Sequence, residues 1–95
     1  MKMRVEPVEI YSDATNAAVM RHPGRRFPGL LIQGDSLYLL CQQADEVCAL
    51  IGRGRPGFDE ANELRSRFWA MLNHYKAVLD EHKLPLPSVE RPRSE

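Results

Sequence analysis

No apolar run in the 95-residue chain approaches the ~20 residues that a bilayer-spanning helix needs. The opening MKMRVEPVEI has no uninterrupted apolar stretch and carries Glu6 and Glu9, so it does not read as a secretory signal. Neither sign of charge is in excess, with thirteen acids against thirteen bases, and no global field points to nucleic acid or an anionic membrane. Only two cysteines are present. Cys41 and Cys48 fall on one expected helix, two turns or about 10 Å apart, too far for a disulfide. They read as reduced, buried thiols of a cytoplasmic protein. His74 and His82 have no carboxylate, histidine or cysteine four residues away, so no metal site is expected. GRGRPG at 52–57 has neither the Gly-Lys-Ser/Thr ending nor the preceding strand of a phosphate loop, and no cofactor is expected.

What remains is a chain of one-domain size whose hydrophobic period changes once. VEPVEIYS at 5–12 alternates weakly, and Pro7, lacking a ladder donor, puts this strand late or at an edge. SDATN is turn chemistry, and AAVMRH at 17–22 is a second strand. His22-Pro23-Gly24-Arg25 suits a type II turn. RFPGLLIQ at 26–33 is the third strand, with Pro28-Gly29 marking a bulge or an entry kink. Leu37, Leu40, Cys41, Ala44, Val47, Cys48 and Ile51 then step by three and four, a helix that Gly52 closes. A second helix is expected from Asp59, its N-cap, to about Lys83, with Glu60 and Glu63 near its positive end. Its stripe is Ala61, Leu64, Phe68, Met71, Leu72, Tyr75, Val78 and Leu79, with Trp69 at the margin.

The expected fold is therefore α+β: a three-stranded antiparallel meander followed by a two-helix hairpin. It makes one domain over 1–84, with a polar, proline-spaced tail at 85–95 that reads as disordered. Helices laid over one sheet face leave Tyr11 and Leu31 without a place, because Leu30, Leu31 and Ile32 point to both faces. Such surplus apolar surface marks an interface, and a homodimer is expected.

IQGDSL at 32–37 carries the Gly-Asp-Ser-Leu tetrapeptide with which one large family of serine hydrolases presents its nucleophile. A serine nucleophile needs a base, an orienting acid and oxyanion donors. That family builds them on a parallel sheet with a late Asp-x-x-His, and here only four residues match. Hairpin-joined strands leave no room for the crossovers of a parallel sheet, and Asp80-Glu81-His82 has the wrong spacing. Asp35 and Ser36 are read instead as the helix cap, accepting from backbone N–H groups of the first turn. No catalytic residue is assigned.

The stretch from Ala14 to Gly34 holds arginines and no acid. Arg21, His22, Arg25 and Arg26 surround the first turn, and Arg53 and Arg55 occupy the link between the helices. Together they are the candidate binding patch, suited to carboxylates or phosphates. The plainer alternative leaves them solvated, or paired with Glu60 and Glu63. Phe27 and Phe58, beside these basic residues, are expected as apolar plugs beneath the turns.

Two resemblances follow from these residues. NAAVMRHPGRRFPGLLIQGDSL at 16–37, with VEIYSD before it, resembles a family of short bacterial proteins of unassigned function, which implies a bacterial origin. FPGLLIQGDSL at 27–37 is similar to the Pro-Gly…Gly-Asp-Thr-Leu segment of HicB-type antitoxins, where a strand runs into a capped helix. That family neutralises a small RNA-cleaving toxin by binding it. The acidic residues that follow the cap there, and a separate DNA-binding tail, are missing here. The expected function is a non-enzymatic protein-binding module, an immunity or antitoxin-like factor. A nucleotide- or nucleic-acid-binding module using the loop arginines is the alternative.

Overall fold

The computed structural model of the protein describes residues 2–86. Three strands, β1 (Glu9–Ser12), β2 (Ala17–Arg21) and β3 (Gly29–Ile32), precede two helices, α1 (Gly34–Ile51) and α2 (Phe58–Glu81). The sheet order is β1-β2-β3 with both pairs antiparallel, so the meander and the helical pair form the expected α+β arrangement. The chain divides into two compact units, one ending at Gln33 and the other beginning at Gly34. The tail expected from 85 onward lies, from residue 87, outside the described residues. Among the described residues no helix is long and apolar enough to cross a membrane.

Each strand is shorter than its alternation suggests, and proline sets two of the limits. β1 starts after Pro7 and β3 starts after Pro28, because neither ring nitrogen can donate to a ladder. Between β2 and β3 the Arg25 N–H donates to the His22 carbonyl at 3.0 Å, and Gly24 takes the positive φ, 83°, that a type II turn requires. The register irregularity falls in β1, between Ile10 and Ser12, and not at Pro28-Gly29.

Directly opposed residues share a face. Val19 opposes Leu30, Ala17 opposes Ile32 and Glu9 opposes Arg21 on one face; Ala18 opposes Leu31 and Ile10 opposes Met20 on the other. Both faces are thus largely apolar. No residue from 2 to 33 is buried.

The helical unit is built differently. α1 buries Gly34, Leu37, Cys41, Ala44 and Cys48 at steps of three and four, and α2 buries Phe58 and Leu72. Leu37, Cys41 and Leu72 form the core, with Tyr38, Phe68, Trp69 and Tyr75 packed against it. Both cysteines are free thiols. Burial pushes the Cys41 thiol pKa up, with the nearby Asp45 charge adding to it. Val47, Leu64 and Met71 were expected on the buried stripe and are exposed, since two helices alone cover only a narrow seam of each other.

Gly52, at φ 91°, ends α1 and donates to the Cys48 carbonyl. α2 begins one residue earlier than expected. Its N-cap is Gly57, and Asp59 sits with Glu60 inside the first turn, acting on the helix dipole rather than as a cap. At the other end Lys83 takes a positive φ, 56°, and Leu84 N–H reaches the Leu79 carbonyl at 2.9 Å. The helix therefore closes before Pro85.

Candidate functional site

The first turn is where the structure gathers charged groups of the sheet unit. Glu9 and Arg21 are opposed across β1 and β2, and the guanidinium meets the carboxylate through Nε at 2.6 Å and Nη2 at 2.5 Å. The Tyr11 hydroxyl donates to the same oxygen at 2.7 Å. These bonds, that from Tyr11 first and that from Arg21 second, hold the Glu9 carboxyl below its ordinary pKa. The bond to Glu9 raises the Tyr11 phenol in turn. Arg21 is therefore a satisfied cation and not an open one.

Arg25 and Arg26 differ. Among the described residues neither has a carboxylate partner, and the Arg26 guanidinium lies over the Phe27 ring, 5.3 Å from its centroid. His22 Nδ1 lies 2.8 Å from the Pro23 carbonyl. Pro7, Glu9, Arg21, His22, Arg25 and Arg26 line a shallow basin here, about 480 Å³ in volume. Beside it, and sharing His22 and Arg25 with it, Val8, Met20, Phe27, Leu30 and Leu31 line a mainly apolar hollow of about 380 Å³.

Arg53 and Arg55 belong to the helical unit. The Arg53 guanidinium lies 5.6 Å from the centroid of Phe58. Neither meets the glutamates suggested as their partners, and Glu63 pairs with Arg67 at 3.0 Å one helical turn along. The plug role expected of both phenylalanines holds for Phe58, 8 % exposed, and fails for Phe27, 72 % exposed. Phe27 follows a turn with no second layer of its unit above it.

At the Gly-Asp-Ser-Leu segment, α1 already begins at Gly34, which makes Ser36 its third residue rather than its cap. The Asp35 carboxylate accepts the Ser36 N–H at 2.8 Å. One residue onward, not two or three, is the reach observed. A Cβ added to Gly34 would run into the Tyr75 ring, so glycine is needed there by packing. Three of the four residues thus have structural reasons: Gly34 for close approach, Asp35 for a donor, Leu37 for the core.

Sequence reasoning missed the polar link between the helices. Trp69 Nε1 donates to Asp45 Oδ1 at 3.0 Å, Arg65 Nη1 lies 3.9 Å from the same oxygen, and the Trp69 ring stands edge-on to Tyr38 with centroids 6.4 Å apart. The signal available was Trp69 itself, since an indole N–H at the margin of a buried stripe wants an acceptor. The outer apolar residues Leu40, Val47, Leu64 and Phe68 line a groove on the hairpin. No group of three His, Cys, Asp or Glu that could hold a metal ion occurs among the described residues.

Strands and hairpin define a small α+β protein. The chain belongs to a family of unknown function, DUF6959, whose model matches residues 3–88. No curated protein and no solved structure matches it.

Proposed function

We propose that the protein is a non-enzymatic binding module that engages another protein in a bacterial cytoplasm, in the manner of an immunity or antitoxin-like factor. One observation carries the reading: no residue from 2 to 33 is buried, while Ile10, Leu30 and Leu31 stand open across two faces of a folded sheet. A three-stranded sheet gains its stability from a covered apolar face, and open apolar surface of this kind marks interfaces. FPGLLIQGDSL, the segment similar to HicB-type antitoxins, supports the finer reading, since β3 runs directly into α1 there. The test mixes the full chain with the product of the adjacent gene and follows amide exchange. Slowed exchange at residues 17–32 is the expected result. Turnover of an ester that disappears in Ser36→Ala overturns the reading.

A second reading, a nucleotide- or nucleic-acid-binding module, is favoured by Arg25 and Arg26, which have no carboxylate partner among the described residues and flank the basin with His22. Binding of a labelled oligonucleotide that falls steeply with salt and is lost in Arg25→Ala and Arg26→Ala selects it.

A further inference from the structure

We propose that the β3 strand pairs antiparallel with the β3 strand of a second copy, about a two-fold axis through Leu31, joining two three-stranded sheets into one. The inference rests on the protein-binding reading and names a second copy as one partner.

The two edges of the sheet are not alike. β1 is guarded by three devices that natural edges use against pairing: Pro7 just ahead of it, the charge of Glu9, and the irregularity between Ile10 and Ser12. β3 also has a proline just ahead of it, Pro28, but it has neither of the other two. It is Gly-Leu-Leu-Ile, without charge or proline, and it holds an unbroken register with β2 from Met20↔Gly29 to Ala17↔Ile32. Its outward N–H and C=O groups and its exposed side chains form a ready template for another strand.

The residue pattern selects both occupant and register. A two-fold axis perpendicular to a sheet sets one residue against its own copy. With the axis at Leu31, that residue meets its copy on one face, while Leu30 meets the copy's Ile32 twice over on the other. With the axis at Leu30, Leu31 would face Gly29 and Ile32 would face Pro28, wasting two large side chains. A pairing that opposed Leu30 to Leu31 would join residues of opposite faces, which the pleat forbids. Only the Leu31 axis matches every large residue of the strand with another. Charge agrees: β3 brings none to the seam, and two chains of zero net charge meet without repulsion. The same operation on β1 would carry the charge of Glu9 into the seam.

Directly opposed Cα atoms in such a ladder lie about 4.5 or 5.5 Å apart, within the roughly 4.4–6.8 Å that a disulfide spans. The test uses the full chain and three variants. Light scattering is expected to give a dimer for the native chain. Mild oxidation is expected to crosslink Leu31→Cys to itself but not Leu50→Cys, an exposed position on α1. The native chain, whose two thiols are buried, is the blank. Leu31→Lys sets like charges opposite each other and should raise the dimer dissociation constant about tenfold or more, with helical circular dichroism unchanged.

A native dimer that fails to crosslink through Leu31→Cys and survives Leu31→Lys overturns the β3 seam and leaves the protein-binding reading standing. A native monomer whose 17–32 amides are protected only by a different protein overturns the second copy as occupant. A native monomer that binds no protein removes both.

Discussion

Leu72 and Leu31 have the same side chain and opposite settings. Leu72, in the middle of α2, is 1 % exposed against Leu37 and Cys41; Leu31, in the middle of β3, is 48 % exposed. The helical unit finds its partners within the chain: a stripe on each helix, a polar link from Trp69 to Asp45, and glycine closures at both ends of the connection. The sheet unit has hydrogen bonds and turns, but none of its described residues is buried. Hydrophobic burial dominates folding free energy, and net hydrogen-bond gains are modest. Buried apolar side chains are concentrated in the helical unit, and the strands contribute none among the described residues.

That contrast is most easily broken by deleting one leucine from each. Leu72→Ala should cost about 3 kcal/mol, the usual loss for a well-packed leucine. Leu31→Ala, at a protein concentration low enough to keep the chain monomeric, should cost under about 1 kcal/mol, because half the side chain is already in water. Urea midpoints measure both. Equal losses would mean that the sheet has a covered face in the monomer.

Gly34→Ala comes next, and here the sign is informative. Alanine is the better helix former by about 1 kcal/mol, so propensity alone foresees a gain. The added Cβ meets the Tyr75 ring, which is itself packed on the core, and overpacking of this kind costs roughly 1–3 kcal/mol. A net loss is expected. The loss should shrink when Tyr75 is also shortened to leucine, giving a non-additive double-mutant cycle.

Asp45 follows. Asp45→Ala strands the Trp69 N–H in a half-buried position and should cost about 1 kcal/mol, with a shift in indole fluorescence. Asp45→Asn keeps an acceptor and should cost less. Nearer the helix start, Asp35→Ala should lose about 0.5–1 kcal/mol, since it removes both a carboxylate at the positive end of α1 and the bond to the Ser36 N–H. Ser36→Ala should change the melting temperature less. The reverse order would restore Ser36 as the cap.

How much of this was legible depended on range. Element order, the type II turn at Pro23-Gly24 and the closure at Gly52 are local chemistry, and each is present where the residues implied. Three- and four-residue steps picked out Leu37, Cys41, Ala44, Cys48 and Leu72. They could not tell these from Val47, Leu64 and Met71, because a stripe says which residues are apolar and not how wide the neighbour is. Trp69 to Asp45 spans twenty-four residues, and no local pattern carries such a pairing. The candidate basic patch was legible as composition only. The structure takes Arg21 out of it through Glu9, which opposes it across two strands.

The smallest effect expected is also the one confined to the sheet. Glu9 is exposed, so its bonds to Tyr11 and Arg21 are worth little in energy, but they lower its pKa in the folded chain. A carboxyl whose folded pKa lies below its unfolded value binds fewer protons when folded. Its contribution is present above the ordinary carboxylate value, near pH 4.5, and is lost as the pH falls through the depressed folded value. Tyr11 sets the opposite limit. Its raised pKa means that folding favours the protonated phenol, so this contribution fades as the pH climbs past the ordinary tyrosine value, near 10.0. Acid titration followed residue by residue in NMR spectra should thus disturb Glu9, Tyr11 and Arg21 while the methyl signals of Leu72, in the core of the helical unit, stay in place. Glu9→Gln should remove the acid step from the strands and leave the helices unchanged. If both regions lose their native shifts together in that step, strands and helices form one cooperative unit, and the separate behaviour expected of them does not hold.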